Sequence, residues 1–269
     1  MSIFRTIEVS DQRFEYNHLR FITVKTNNLK GRGDICVFVP PDLKRQQDIP
    51  VVILLHGVYG SAWSWALGTG VHLQALQMMN NGDIRQMVIA MPSDGLWGDG
   101  SAYLQHSGLD FEKWIVEDVP AALRELIPGV SLSSPLFIGG LSMGGFGALR
   151  IGAKYGNVFK GISAHSAITG IEQMKLFVEE DLNHYYQPDK TDEDVFETIK
   201  KYRRQLPPLR FDCGTDDLLI EHNRSLHQKL TGEGIKHLYQ ENPGEHEWAY
   251  WEKHIGDTLR FFGKQVTEI

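Results

Sequence analysis

The chain has 269 residues, a formal net charge of −7, and 42% hydrophobic against 23% charged residues. That balance excludes a disordered chain, and the length lets the protein bury a core without a disulfide or metal staple. Basic residues form only short clusters, such as Lys200-Lys201 with Arg203-Arg204, so no nucleic-acid partner is expected.

Taken in chain order, Phe4–Val9, Leu19–Thr26 and Asp34–Val39 are rich in β-branched and aromatic residues and predict antiparallel strands joined by short turns. The pattern then changes. Pro50–Leu55 and Met87–Met91 are continuous apolar runs, as strands buried on both faces should be. His72–Asn80 and Phe111–Ile127 predict helices. Pro135–Ile138 predicts a strand and Met143–Tyr155 the helix after it. Phe159–Ala164, Leu209–Cys213 and Ile235–Tyr239 predict further strands, and Leu218–Leu230 and Trp248–Phe262 the remaining helices. Alternating strands and helices imply right-handed βαβ units and a mainly parallel sheet with helices on both faces. The reading is one α/β domain over residues 1–269, led by an antiparallel edge. Residues 168–208 exceed the needs of one crossover and predict a two-helix insertion over the carboxyl edge of the sheet, where open α/β folds bind ligands.

Two cysteines, Cys36 and Cys213, supply neither a disulfide framework nor zinc spacing, as in a reduced cytoplasmic protein. Met1 to Glu8 lacks the apolar core of a signal peptide. The longest aliphatic run, Val51 to Leu55, is far too short to span a bilayer, so no membrane partner is expected.

The sharpest chemical signal is Gly140-Leu141-Ser142-Met143-Gly144, between a predicted strand and a predicted helix. A serine on so sharp a turn needs small neighbours two residues either side, because other backbone passes close by. The helix N-terminus behind it adds positive potential where an oxyanion would form. A serine needs a base. His246 is the best placed of eleven histidines: it follows the last strand and a Pro-Gly turn and precedes the last helix. The base needs an orienting carboxylate, and either Asp216 or Asp217 could supply it, the other standing at a helix N-cap. The order Ser142, Asp216 or Asp217, His246 is that of α/β-hydrolases. The two oxyanion donors are expected at the amides of Met143, directly after the serine, and Val58, after the first buried strand. Trp63, Trp97 and Tyr185 are candidates for a wall around an acyl or aryl group.

His56-Gly57 with Ser61-Ala-Trp63-Ser-Trp65, Gly140-Leu-Ser142-Met-Gly-Gly145, Cys213-Gly-Thr-Asp-Asp217 and Pro243-Gly-Glu-His246-Glu-Trp248 together resemble the putative-esterase family of α/β-hydrolases, over residues 20 to 262. That family includes esterase D, S-formylglutathione hydrolases, and tributyrin, feruloyl and acetylxylan esterases. The resemblance implies Ser142 as nucleophile, His246 as base, and Asp217 rather than Asp216 as the acid, with oxyanion donors at Val58 and Met143. The turn His56-Gly57-Val58-Tyr59 is nearer the bacterial tributyrin esterase type than the Ser-Gly-Leu-Thr-Cys-like turn of S-formylglutathione hydrolases, a departure that weighs against a glutathione thioester. The expected activity is hydrolysis of a small-molecule carboxylic ester through an acyl-enzyme, with no cofactor and no metal. Acyl transfer or thioester cleavage on the same triad is the alternative, and a non-catalytic binding module on a hydrolase fold is the second.

Overall fold

The structure is a computed structural model in which residues 2–41, 43 and 46–267 are described. Strands β1 (Thr6–Val9), β2 (Leu19–Thr26) and β3 (Gly31–Phe38) form the expected antiparallel edge. The buried strand β4 (Val51–Leu55) leads into α1 (Ser64–Thr69), α2 (Val71–Asn80) and β5 (Val88–Pro92). A small hairpin follows, β6 (Gln105–His106) with β7 (Leu109–Asp110). The long helix expected next is one run with a flaw: α3 (Phe111–Lys113), a π turn over Trp114–Asp118, and α4 (Val119–Leu126). Pro120 accounts for it. Its ring would strike the carbonyl four residues back, and the wider turn makes room.

The rest alternates: β8 (Leu136–Leu141), α5 (Met143–Lys154), β9 (Phe159–His165), α6 (Val195–Tyr202), β10 (Leu209–Gly214), α7 (Ile220–Gly232), β11 (Leu238–Asn242) and α8 (Trp248–Thr267). The nine strands run in the order β1-β2-β3-β5-β4-β8-β9-β10-β11. From β5 to β11 every pairing is parallel, which fits the expected α/β-hydrolase fold. Strand β4 shows why a fully apolar run is needed at the centre. Val51, Ile53 and Leu55 feed the core under α4, α5, α6 and α7, while Val52 and Leu54 feed the core under α1, α2 and α8.

Two expectations shift. The last strand starts at Leu238, not Ile235. Ile235 instead plugs the end of α7, 8% exposed, with its amide bonded to Leu230 O. As an edge strand β11 is mostly exposed, so apolar pattern pointed to the plug and not to the strand. The stretch 168–208 holds one α-helix, α6, and four short 3-10 turns rather than two helices. Asp181, Asp189 and Asp194 each accept a backbone N–H two or three residues on and start a new turn each time.

The polar centre of the sheet is a closed network. Asp212 accepts from His165 Nδ1 (2.9 Å), Arg210 (2.6 Å) and the Tyr250 hydroxyl (2.9 Å). Thr258 Oγ1 contacts His165 Nε2 (2.8 Å), Arg210 (3.0 Å) and Ser163 (2.5 Å). Burial alone would push the Asp212 carboxyl up; His165, then Arg210 and Tyr250, bring it down to about 2. Removing one buried charge strands the other. Arg210→Met is therefore expected to lower the unfolding free energy by about 3–5 kcal/mol, read from urea denaturation followed by circular dichroism.

Candidate active site

Strands β4 and β8 are neighbours, and the chain leaves β4 toward β5 but leaves β8 toward β9, in opposite directions. The crevice outside the carboxyl ends of β4 and β8 is the switch point where such sheets bind ligands. Ser142 stands there, between the last residue of β8 and the first of α5, with φ 52° and ψ −119°. A non-glycine residue keeps that conformation only where its surroundings over-determine it. Here they do. Ser142 N donates to His165 O at 3.0 Å, and Ser142 O accepts from Phe146 N (3.1 Å) and Ile168 N (3.2 Å). The flanking glycines are a steric requirement. A Cβ on Gly140 would sit 2.2 Å from Gly144 O, and one on Gly144 would sit 2.2 Å from Leu55 O.

The loops after β10 and β11 are sewn together: Thr215 N donates to Asn242 O (2.9 Å) and Asp216 N to Gly244 O (3.0 Å). Asp217 and His246 thereby come within reach of Ser142. His246 Nε2 lies 3.0 Å from Ser142 Oγ, and Nδ1 lies 2.9 and 3.0 Å from the two Asp217 oxygens. Asp217 Oδ1 also accepts from Leu219 N at 2.8 Å. Burial opposes the charged Asp217, but the hydrogen bond and charge of His246, with Leu219 N and Ser166, hold its carboxyl below the usual range. Asp216 is exposed and accepts only from Thr215 next door. Neither aspartate caps α7, whose N-cap is Leu219. That corrects the expectation that one of the pair is a cap.

Around this line, the Phe177 ring lies over the imidazole, with centroids 5.3 Å apart and planes at 32°. Trp251 meets it edge-on at 5.1 Å and 90°. Phe177 comes from the 168–208 stretch, and sequence reading missed it; the apolar triplet Leu176-Phe177-Val178 in a polar run was the available signal. Its carbonyl accepts from the Tyr59 hydroxyl. Asp99 takes Glu179 N and gives its own N–H to Glu180, each at 2.8 Å. Residues 177–180 thus form a strap that crosses from the imidazole to the turn carrying Val58.

The side chains of Val58 and Met143 both pack at Gly100: a Cβ there would lie 2.4 Å from Met143 Sδ and 3.4 Å from Val58 Cγ1. As first residue of α5, Met143 has an amide with no carbonyl partner inside its helix. Trp63 is 51% exposed just before α1. Trp97 is half-buried among His106, His184 and Tyr185. Tyr185 is fully buried, its hydroxyl bonded to Gly100 O at 2.8 Å. It holds the insertion to the 97–100 turn and offers no surface to a ligand, which corrects its place among the wall residues.

A line of carboxylate, imidazole and hydroxyl at hydrogen-bond distance can move a proton off the serine as the serine attacks. The sequence profile described as Putative esterase matches residues 26–262. The chain belongs to the putative-esterase family. It is a carboxylic ester hydrolase. It is 30% identical to an acetyl esterase of Caldicellulosiruptor saccharolyticus over 262 residues, covering 88% of this chain and 94% of that one. Among solved structures it resembles FphF, a fluorophosphonate-binding serine hydrolase of Staphylococcus aureus, at TM-score 0.77 and 19% identity, over 90% of this chain and 96% of that one. It also resembles the S-formylglutathione hydrolase FrmB of the same organism, at TM-score 0.77 and 17% identity, over 94% and 98%. Both share the esterase's fold. Among the described residues no helix is long and apolar enough to cross a membrane, and no cluster of His, Cys, Asp or Glu could hold a metal ion.

Gly140→Ala is expected to strain the elbow of this esterase, costing about 1–3 kcal/mol and at least tenfold in kcat. Urea denaturation and 4-nitrophenyl acetate turnover measure the two.

Proposed function

We propose that Ser142, His246 and Asp217 are the catalytic triad of this esterase and that it cleaves esters of short acyl groups. The observation that carries this is the unbroken line Asp217–His246–Ser142, with both contacts at about hydrogen-bond length. Ser142 attacks the acyl carbon while His246 Nε2 takes its proton. Asp217 holds Nδ1–H and keeps the tautomer right. The amides of Val58 and Met143 stabilise the oxyanion, each contributing roughly 3–4 kcal/mol. The alcohol leaves with the proton from His246. Water then attacks the acyl-enzyme, again through His246, and frees the acid and the serine.

Support for a short acyl group comes from Ser142, only 2% exposed beneath the strap, and from the acetyl esterase relative. We read residues 168–208 as a cap within one α/β-hydrolase domain, and Trp63 and Trp97 as substrate contacts at its rim. The two free, buried cysteines support a cytoplasmic setting.

A fluorophosphonate probe is expected to label Ser142, and Ser142→Ala to lose label and at least about 10⁴-fold in kcat. An unlabelled chain whose 4-nitrophenyl acetate turnover survives Ser142→Ala would sink the assignment. Asp217→Asn should lower kcat by about 10³–10⁴, while Asp216→Asn stays near wild type. Because Asp217 is held below the ordinary carboxylate range, it stays ionised from there upward. The acid limb of kcat/KM should accordingly show slope one, with no second break above about pH 4. Product analysis with added alcohol separates hydrolysis from acyl transfer.

A further inference from the structure

His56 ends the run after β4 and is 2% exposed. Its ring meets two backbone groups whose roles cannot be exchanged. Nδ1 lies 2.7 Å from Gly57 O; a carbonyl only accepts, so Nδ1 carries the proton. Nε2 lies 3.0 Å from Asp94 N; an amide N–H only donates, so Nε2 is bare. The partners fix the ring in one orientation, with Nδ1 donating and Nε2 accepting. The anchor is itself tied down. Asp94 accepts from Leu96 N (2.9 Å) and Ser101 N (2.6 Å), and its carbonyl accepts from Ser101 Oγ (2.9 Å). On the other side, His56 O accepts from the buried Tyr103 hydroxyl at 3.0 Å.

The consequence follows from peptide geometry. No peptide bond among the described residues is cis, and across a trans peptide C=O and N–H point in opposite directions. A Gly57 carbonyl held toward the imidazole turns the Val58 N–H away from it. Gly57 itself packs against the serine: a Cβ there would lie 3.3 Å from Ser142 Cβ. We propose that His56 is a positioning residue, whose ring holds the Gly57–Val58 peptide with its N–H aimed at the developing oxyanion. The proposal rests on the reading of Val58 as an oxyanion donor. Without the ring, the hydrogen bond left on this peptide among the described residues is the long one from Gly60 N to Gly57 O (3.3 Å).

The test compares 4-nitrophenyl acetate with its thiono counterpart, in which sulfur replaces the carbonyl oxygen and accepts hydrogen bonds poorly. The wild type should strongly prefer the oxygen ester. A wild-type ratio near one would overturn the oxyanion reading and this inference with it. His56→Ala should lower kcat on the oxygen ester by about 10–100-fold, with KM little changed and the thiono rate nearly kept. The oxygen-to-sulfur preference then falls by the same factor, which a merely structural loss would not produce. His56→Asn places an amide N–H near the lost Nδ1–H and should restore most of the preference. His56→Gln reaches Asp94 but not Gly57 O and should not. If His56→Ala does not fold, the Asn and Gln pair decides. A folded His56→Ala, or a His56→Gln, with the wild-type preference would overturn the proposal while leaving the triad intact.

Discussion

The backbone of Ser142 is held where a side-chain-bearing residue does not rest by choice, and the neighbouring structure is arranged to keep it there. Three hydrogen bonds, from β9, α5 and the start of the 168–208 stretch, grip its peptide groups. Two glycines let backbone pass within van der Waals distance. The strain lifts the hydroxyl off the end of β8 and leaves the first amide of α5 beside it. One constraint thus places both the oxygen proposed to attack and a donor for the charge that such an attack would create.

The proposed proton path depends on a second kind of constraint, backbone stitching between loops that are far apart in sequence. The turns after β10 and β11 share two hydrogen bonds, and these fix the distance between Asp217 and His246 before either side chain is considered. Beneath them the network around Asp212 ties β9, β10 and α8 together. The same β9 residue, His165, contributes its side chain to that network and its carbonyl to the Ser142 amide. Core charge pairing and active-site geometry therefore meet in one residue.

The imidazole is bounded by apolar rings from two directions, Phe177 from the strap and Trp251 from α8. Rings there leave the nitrogen edge of His246 to Ser142 and Asp217. The strap is fastened through Tyr59, Asp99, Glu179 and Glu180 to the turn that carries Val58. It joins the His246 side of the site to the Val58 side.

Much of this was legible in the linear chain. The Gly140–Gly144 pattern between strand and helix located the elbow, because the steric demand of that turn acts within five residues. Apolar runs of strand length marked the central sheet, because a strand buried on both faces has no polar face to show. The acid could not be chosen by spacing: Asp216 and Asp217 are adjacent, and only the stitch to Gly244 and the bond to Leu219 decide which carboxylate turns inward. The β11 register and the Asp-capped turns of 168–208 were hidden because edge strands and short turns carry weak hydrophobic patterning. The long-range contacts of Phe177 and His56 were hidden for a stronger reason. Phe177 meets His246 and Tyr59, and His56 meets Asp94, each more than thirty residues away, and sequence order carries no record of which loops meet at one edge of a sheet.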